Sequence, residues 1–122
     1  MSRREFLDLY IQGWASCDVN TTMRALADDF VFDNPRVGKV TKSQFESYFE
    51  DMQKFVATHR TGPAPGPFME FDDQVSEDTE TKLINWTWWR IPGTKIEGAG
   101  LIEVTDSGVI NHRMAFHAAP KL

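Results

Sequence analysis

The segment Thr-Gly-Pro-Ala-Pro-Gly-Pro at residues 61–67 divides the chain into two parts whose hydrophobic patterns have different periods. Its three prolines and two glycines exclude regular structure there. Before it, apolar residues recur every three or four positions. Phe6, Leu9, Tyr10, Gly13 and Trp14 predict an amphipathic helix over 3–16. Asp18 is placed to cap a second, shorter helix that runs to about Leu26, with Met23 and Leu26 facing inward. Phe30-Val31-Phe32 reads as a short strand stopped by Pro35, and Asp28 and Asp29 as a solvated pair closing the second helix. Thr41 and Gln44 form a capping box for a third helix with the stripe Phe45, Tyr48, Phe49, Met52, Phe55 and Val56.

After the proline-rich loop the period drops to two. Strands are predicted over 68–75, 82–91, 96–105 and 109–117, joined by Ser-Glu-Asp-Thr-Glu, Pro92-Gly93 and Asp106-Ser107-Gly108. Helices first and a strand meander second predict one α+β domain over residues 1–122, with three N-terminal helices on a curved, mainly antiparallel sheet.

The net charge of −5 is dispersed, and Lys and Arg form no stripe, which argues against nucleic acid or an anionic membrane as partner. Cys17 is the sole cysteine, so no internal disulfide forms. Ser2-Arg3-Arg4-Glu5-Phe6 resembles a twin-arginine signal, but Asp8, Gln12 and Asp18 interrupt the apolar run such a signal needs. The expectation is a soluble, cytoplasmic protein. No His, Asp, Glu or Cys set has metal-ligand spacing and no glycine-rich phosphate loop follows a strand, so neither metal nor cofactor is expected.

Leu26-Ala-Asp-Asp-Phe-Val-Phe-Asp-Asn-Pro and the closing Gly-Leu-Ile-Glu-Val-Thr-Asp-Ser-Gly-Val-Ile-Asn-His-Arg-Met-Ala-Phe, in this order, resemble the nuclear transport factor 2-like superfamily. Within it the resemblance is to the ketosteroid isomerase and SnoaL-type polyketide cyclase branches. It implies a cone-shaped α+β barrel, an apolar pocket for a small hydrophobic ligand at the open end, and a homodimer. Fold does not settle function here, because the superfamily hosts several chemistries and some members with none. The ketosteroid isomerase tyrosine position falls on Tyr10, the aspartate base position on Asn34, and the protonated-aspartate position on Gly100. The SnoaL base position falls on Ala115. A limonene-epoxide hydrolase Tyr-x-Asn becomes Phe32-Asp33-Asn34. Each catalytic set is broken, since an amide cannot accept a proton at neutral pH and glycine carries no donor.

Strand alternation then nominates the pocket face. Asn34 and Gly100 pointing inward bring Phe30, Phe32 and Ile102 with them. On the last strand Asn111, Arg113, Ala115 and His117 share one face, with His117 nominated to the pocket, while His112, Met114 and Phe116 share the other. On the preceding hairpin the choice lies between Ile84, Trp86, Trp88 and Arg90 and the set Asn85, Thr87 and Trp89; the register through Pro92-Gly93 favours the first, and a one-residue slip would exchange them. Two functional readings follow. In the first, Tyr10, Asn34 and His117 act on a hydrophobic carbonyl compound in a cofactor-free isomerase, cyclase or dehydratase, with Trp14, Phe32, Trp86, Trp88, Gly100 and Ile102 around the ligand. In the second, the chain is a non-catalytic ligand-binding or dimerisation domain. The first requires Tyr10, Asn34 and His117 to converge on one cavity.

Overall fold

A computed structural model describes residues 1–61 and 67–119; the middle of the proline-rich loop lies outside the described residues. Among the described residues the chain forms α1 (Arg3–Ser16), α2 (Val19–Arg24), β1 (Leu26–Asn34), β2 (Gly38–Thr41), α3 (Lys42–His59), β3 (Glu70–Asp78), β4 (Leu83–Arg90), β5 (Glu97–Thr105) and β6 (Gly108–Ala118). The strands make one six-stranded sheet in the order β2-β1-β6-β5-β4-β3. Every pairing is antiparallel except β1 with β6. The result is an α+β cone, with the helices covering one face of a curved sheet.

The helix ends follow their capping chemistry. Ser2 and Glu5 close a capping box on α1, and Thr41 and Gln44 close one on α3. Asp18 accepts the Thr21 N–H at 3.2 Å to start α2. Gly13 lets the two first helices meet, because a Cβ there would lie 2.0 Å from Thr22 Oγ1 and 2.7 Å from the Thr22 backbone nitrogen.

The core is a cage of rings beneath the sheet. Trp14 touches Phe32, Phe45, Phe49 and His112 at centroid separations of 5.8, 6.0, 4.9 and 6.1 Å. Aromatic contacts of this kind add directionality to the burial of large apolar surfaces.

Five expectations change. β3 runs through Ser76-Glu77-Asp78, which pair with Asn85, Ile84 and Leu83, so only the end of the expected turn remains a turn. β1 starts at Leu26 rather than Phe30 and carries Asp28 and Asp29, both exposed, at an irregularity in its pairing with β6. Lys42 takes up one of these carboxylates, Asp28, at 3.2 Å. Gly38–Thr41 is a strand, too short to leave a pattern in the sequence. On β4 the inward residues are Leu83, Asn85, Thr87 and Trp89, while Trp86 and Trp88 point outward, 47% and 42% exposed. The turn is the cause: Ile91 N–H bonds to Ile96 O at 3.0 Å, closing a four-residue loop that pairs Thr87 with Gly100 and Asn85 with Ile102. On β6 the inward residues are His112, Met114 and Phe116. Here Val104 pairs with Val109 but Glu103 with Asn111, so Ile110 is an extra residue. Strict alternation from Val109 selects Asn111, Arg113, Ala115 and His117. The bulge reverses that parity.

Candidate functional site

Asn34 stands at the end of β1, where Pro35 ends the pairing, and its amide is fixed from two sides. Its Oδ1 accepts the Arg36 backbone N–H at 2.9 Å, the local bond that suits Asn to turns. That bond assigns the amide orientation and leaves Nδ2 to donate to the Tyr48 hydroxyl at 3.0 Å. Burial pushes the Tyr48 phenol up to about 12, with the Asn34 hydrogen bond opposing the shift. The phenol therefore keeps its proton. With its oxygen already accepting from Asn34, its O–H is the group left to donate.

Both residues line a cavity of about 600 Å³ between α3 and the sheet. Its inner wall is built by Trp14, Trp89, Ile91, Ile96, Met114 and Phe116. Its α3 wall includes Gln44, Ser47, Tyr48, Asp51, Met52 and Phe55. Arg36 also lines it, with its guanidinium 5.7 Å from the centre of the Phe55 ring and 5.4 Å from that of Phe116. The Trp89 indole N–H is buried without a hydrogen-bond partner among the described residues.

Of Tyr10, Asn34 and His117, the structure brings only Asn34 to this cavity. Tyr10 is fully buried below it, with its hydroxyl 2.6 Å from His112 Nδ1. Burial pushes the Tyr10 phenol well above its ordinary range; the Trp14 indole N–H nearby opposes this without reaching hydrogen-bond geometry. Burial also lowers the His112 imidazole from 6.5 to about 3. The pair is thus a neutral contact that fastens α1 to β6. His117 is exposed and sits at a register shift near the end of β6.

Among the six residues expected around a ligand, Trp14 lines the cavity. Phe32 and Ile102 are fully buried in the core, and Trp86 and Trp88 lie on the outer face. Gly100 lies under His112, where a Cβ would come within 2.8 Å of Nε2, so its missing side chain makes room for the imidazole rather than for a ligand. Four lining residues lie outside the expected ligand set: Tyr48, and Trp89, Met114 and Phe116 on the alternative strand faces. Tyr48 had a legible signal, because it is the sole hydroxyl in the apolar stripe of α3. Among the described residues no three His, Cys, Asp or Glu side chains cluster as a metal site would require, and no helix is long and apolar enough to cross a membrane.

No family model matches the sequence, and no curated protein matches it significantly. Solved structures do match. An NTF2-like protein of unknown function from Pseudomonas putida KT2440 aligns with a TM-score of 0.69 at 13% identity, over 96% of this chain and 93% of that one. A SnoaL-like protein of unknown function from Burkholderia thailandensis aligns with a TM-score of 0.66 at 13% identity, over 95% of each chain. TerC, co-crystallised with polyporic acid, aligns with a TM-score of 0.64 at 12% identity, over 93% of this chain and 90% of that one. The fold is therefore that of NTF2-like and SnoaL-like proteins, and at these identities the likeness extends to the fold alone.

Proposed function

We propose that this chain binds a small, flat, largely apolar molecule and holds one of its oxygens on the Tyr48 hydroxyl. The observation that carries this reading is the Asn34–Tyr48 hydrogen bond inside an otherwise mainly apolar cavity. Apolar walls supply affinity through burial, and a few fixed polar groups supply orientation. Asn34 polarises the Tyr48 O–H by donating to its oxygen, which favours a carbonyl or other strong acceptor on the ligand. The occurrence of polyporic acid in crystals of TerC, a protein of the same fold, is consistent with a role in binding small molecules.

Binding is favoured over acid/base catalysis by the groups at the inner end of the cavity. Asn34 cannot take a proton and Tyr48 holds its own, while His112 lies outside the cavity lining, turned to Tyr10. A titration of the protein with 1-tetralone, a flat ketone, followed by amide chemical shifts tests the reading. Saturable shifts at Asn34, Tyr48 and Trp89 are expected, and Tyr48→Phe should weaken binding roughly five- to tenfold. Unchanged affinity in Tyr48→Phe, with the fold intact by circular dichroism, would falsify it.

A further inference from the structure

The cavity has two unlike walls. The sheet side, with Trp89, Ile91, Ile96, Met114 and Phe116, offers no strong side-chain acceptor; its polar groups are donors, the Trp89 indole N–H and the Arg36 guanidinium over the Phe116 ring. The helix side is different. Gln44, Tyr48, Asp51 and Phe55 follow at steps of four, three and four residues, which is one face of α3, and Ser47 stands beside them. Asp51 is the only carboxylate in the cavity wall among the described residues. A helix rises about 1.5 Å per residue, so Asp51 stands about 4.5 Å along the axis from Tyr48.

The two groups are complementary in hydrogen bonding. Tyr48 has a proton to donate, whereas a carboxylate only accepts. Resting on the reading of the cavity as a binding site, the geometry points to Asp51 as the residue that selects the ligand: it accepts a hydrogen bond from a ligand hydroxyl one helical turn from the carbonyl held by Tyr48. The ligand class is then a flat apolar ketone with a hydroxyl on the same edge as its carbonyl. A ligand carboxylate at that place would be repelled by Asp51. A hydroxyl on the opposite edge would face Met114, Phe116 and Ile96, which offer no strong acceptor for its proton, so burying it there is costly. Hydroxyl donation to a carboxylate is charge-assisted and stronger than a neutral pair; at the exposed Asp51 it replaces a bond to water, so the expected discrimination is about tenfold and no more.

Isothermal titration of 1-tetralone and 7-hydroxy-1-tetralone against the same protein tests the assignment. The second compound adds a hydroxyl on the carbonyl edge and changes little else. The wild-type protein should bind it about tenfold more tightly than 1-tetralone. In Asp51→Ala, an exposed helical substitution that keeps helix propensity, the ratio of the two affinities should fall below about threefold. Equal affinities for both compounds in the wild type, or a full preference surviving in Asp51→Ala, would overturn the role of Asp51. In those cases the cavity reading still stands if Tyr48→Phe weakens 1-tetralone. Failure of both tetralones to bind the wild type would remove both readings.

Discussion

The two faces of β4 carry tryptophans with opposite fates. Trp89 is buried against Phe116 with ring centroids 5.6 Å apart and helps to wall the cavity. Trp86 and Trp88, on the same strand, stand on the outer face beside Val75, which is 62% exposed. Nothing in the side chains separates them. The difference comes from register alone, since a strand sends alternate residues to opposite faces. A burial argument based on residue type would have treated all three as one aromatic cluster.

The largest test of this contrast lies at the inner face. Trp14→Ala should destabilise the chain by about 3–5 kcal/mol in urea unfolding, because the indole touches Tyr10, Phe32, Phe45, Phe49 and His112 and the space left cannot close. A loss below 1 kcal/mol (roughly a surface value) would mean the ring cage is not the core.

The next effect is acid sensitivity from the same face. The folded chain holds His112 neutral down to about 3, whereas the unfolded imidazole takes up a proton near 6.5. Below 6.5 the unfolded state therefore binds more protons, so stability is lost as pH falls through that window. The loss at pH 4 relative to neutral pH is about 3.5 kcal/mol, at roughly 1.4 kcal/mol per unit. His112→Gln keeps an acceptor for Tyr10 and should flatten the acid limb of a stability–pH curve relative to the wild type. An unchanged limb would place the acid dependence elsewhere.

The smallest effect belongs to the outer face. Trp86→Ala and Trp88→Ala should each change stability by less than about 1 kcal/mol, measured at protein concentrations low enough to exclude association. A loss that grew with protein concentration would reveal a contact between copies on that face and erase the contrast.

Much of the fold was legible because it is local chemistry. The capping boxes at Ser2–Glu5 and Thr41–Gln44 mark their helices without reference to the rest of the chain. Pro35 stops β1, and Asp106-Ser107-Gly108 turns β5 into β6, with Gly108 at φ 120°. Asn34 was also legible as the informative polar residue. Its turn-forming role and its place in the cavity prove to be one arrangement, since the same Oδ1 bond that makes the turn aims Nδ2 at Tyr48. Tyr10 and His117 were less accessible. Whether a phenol on α1 meets a ligand or an imidazole depends on which residue of β6 faces it across the core, and that is not a property of either segment alone.

The sequence by itself determined the caps that open α1 and α3, the Pro35 that ends β1, and the proline-rich loop after which the period changes from helical to alternating. Only the tertiary structure decided which face of β4 and β6 looks inward. Period-two patterns have two solutions related by a shift of one residue. The choice between them was made by one extra residue, Ile110, and by the length of the loop between Ile91 and Ile96. Both are consequences of how strands must pair across a curved sheet.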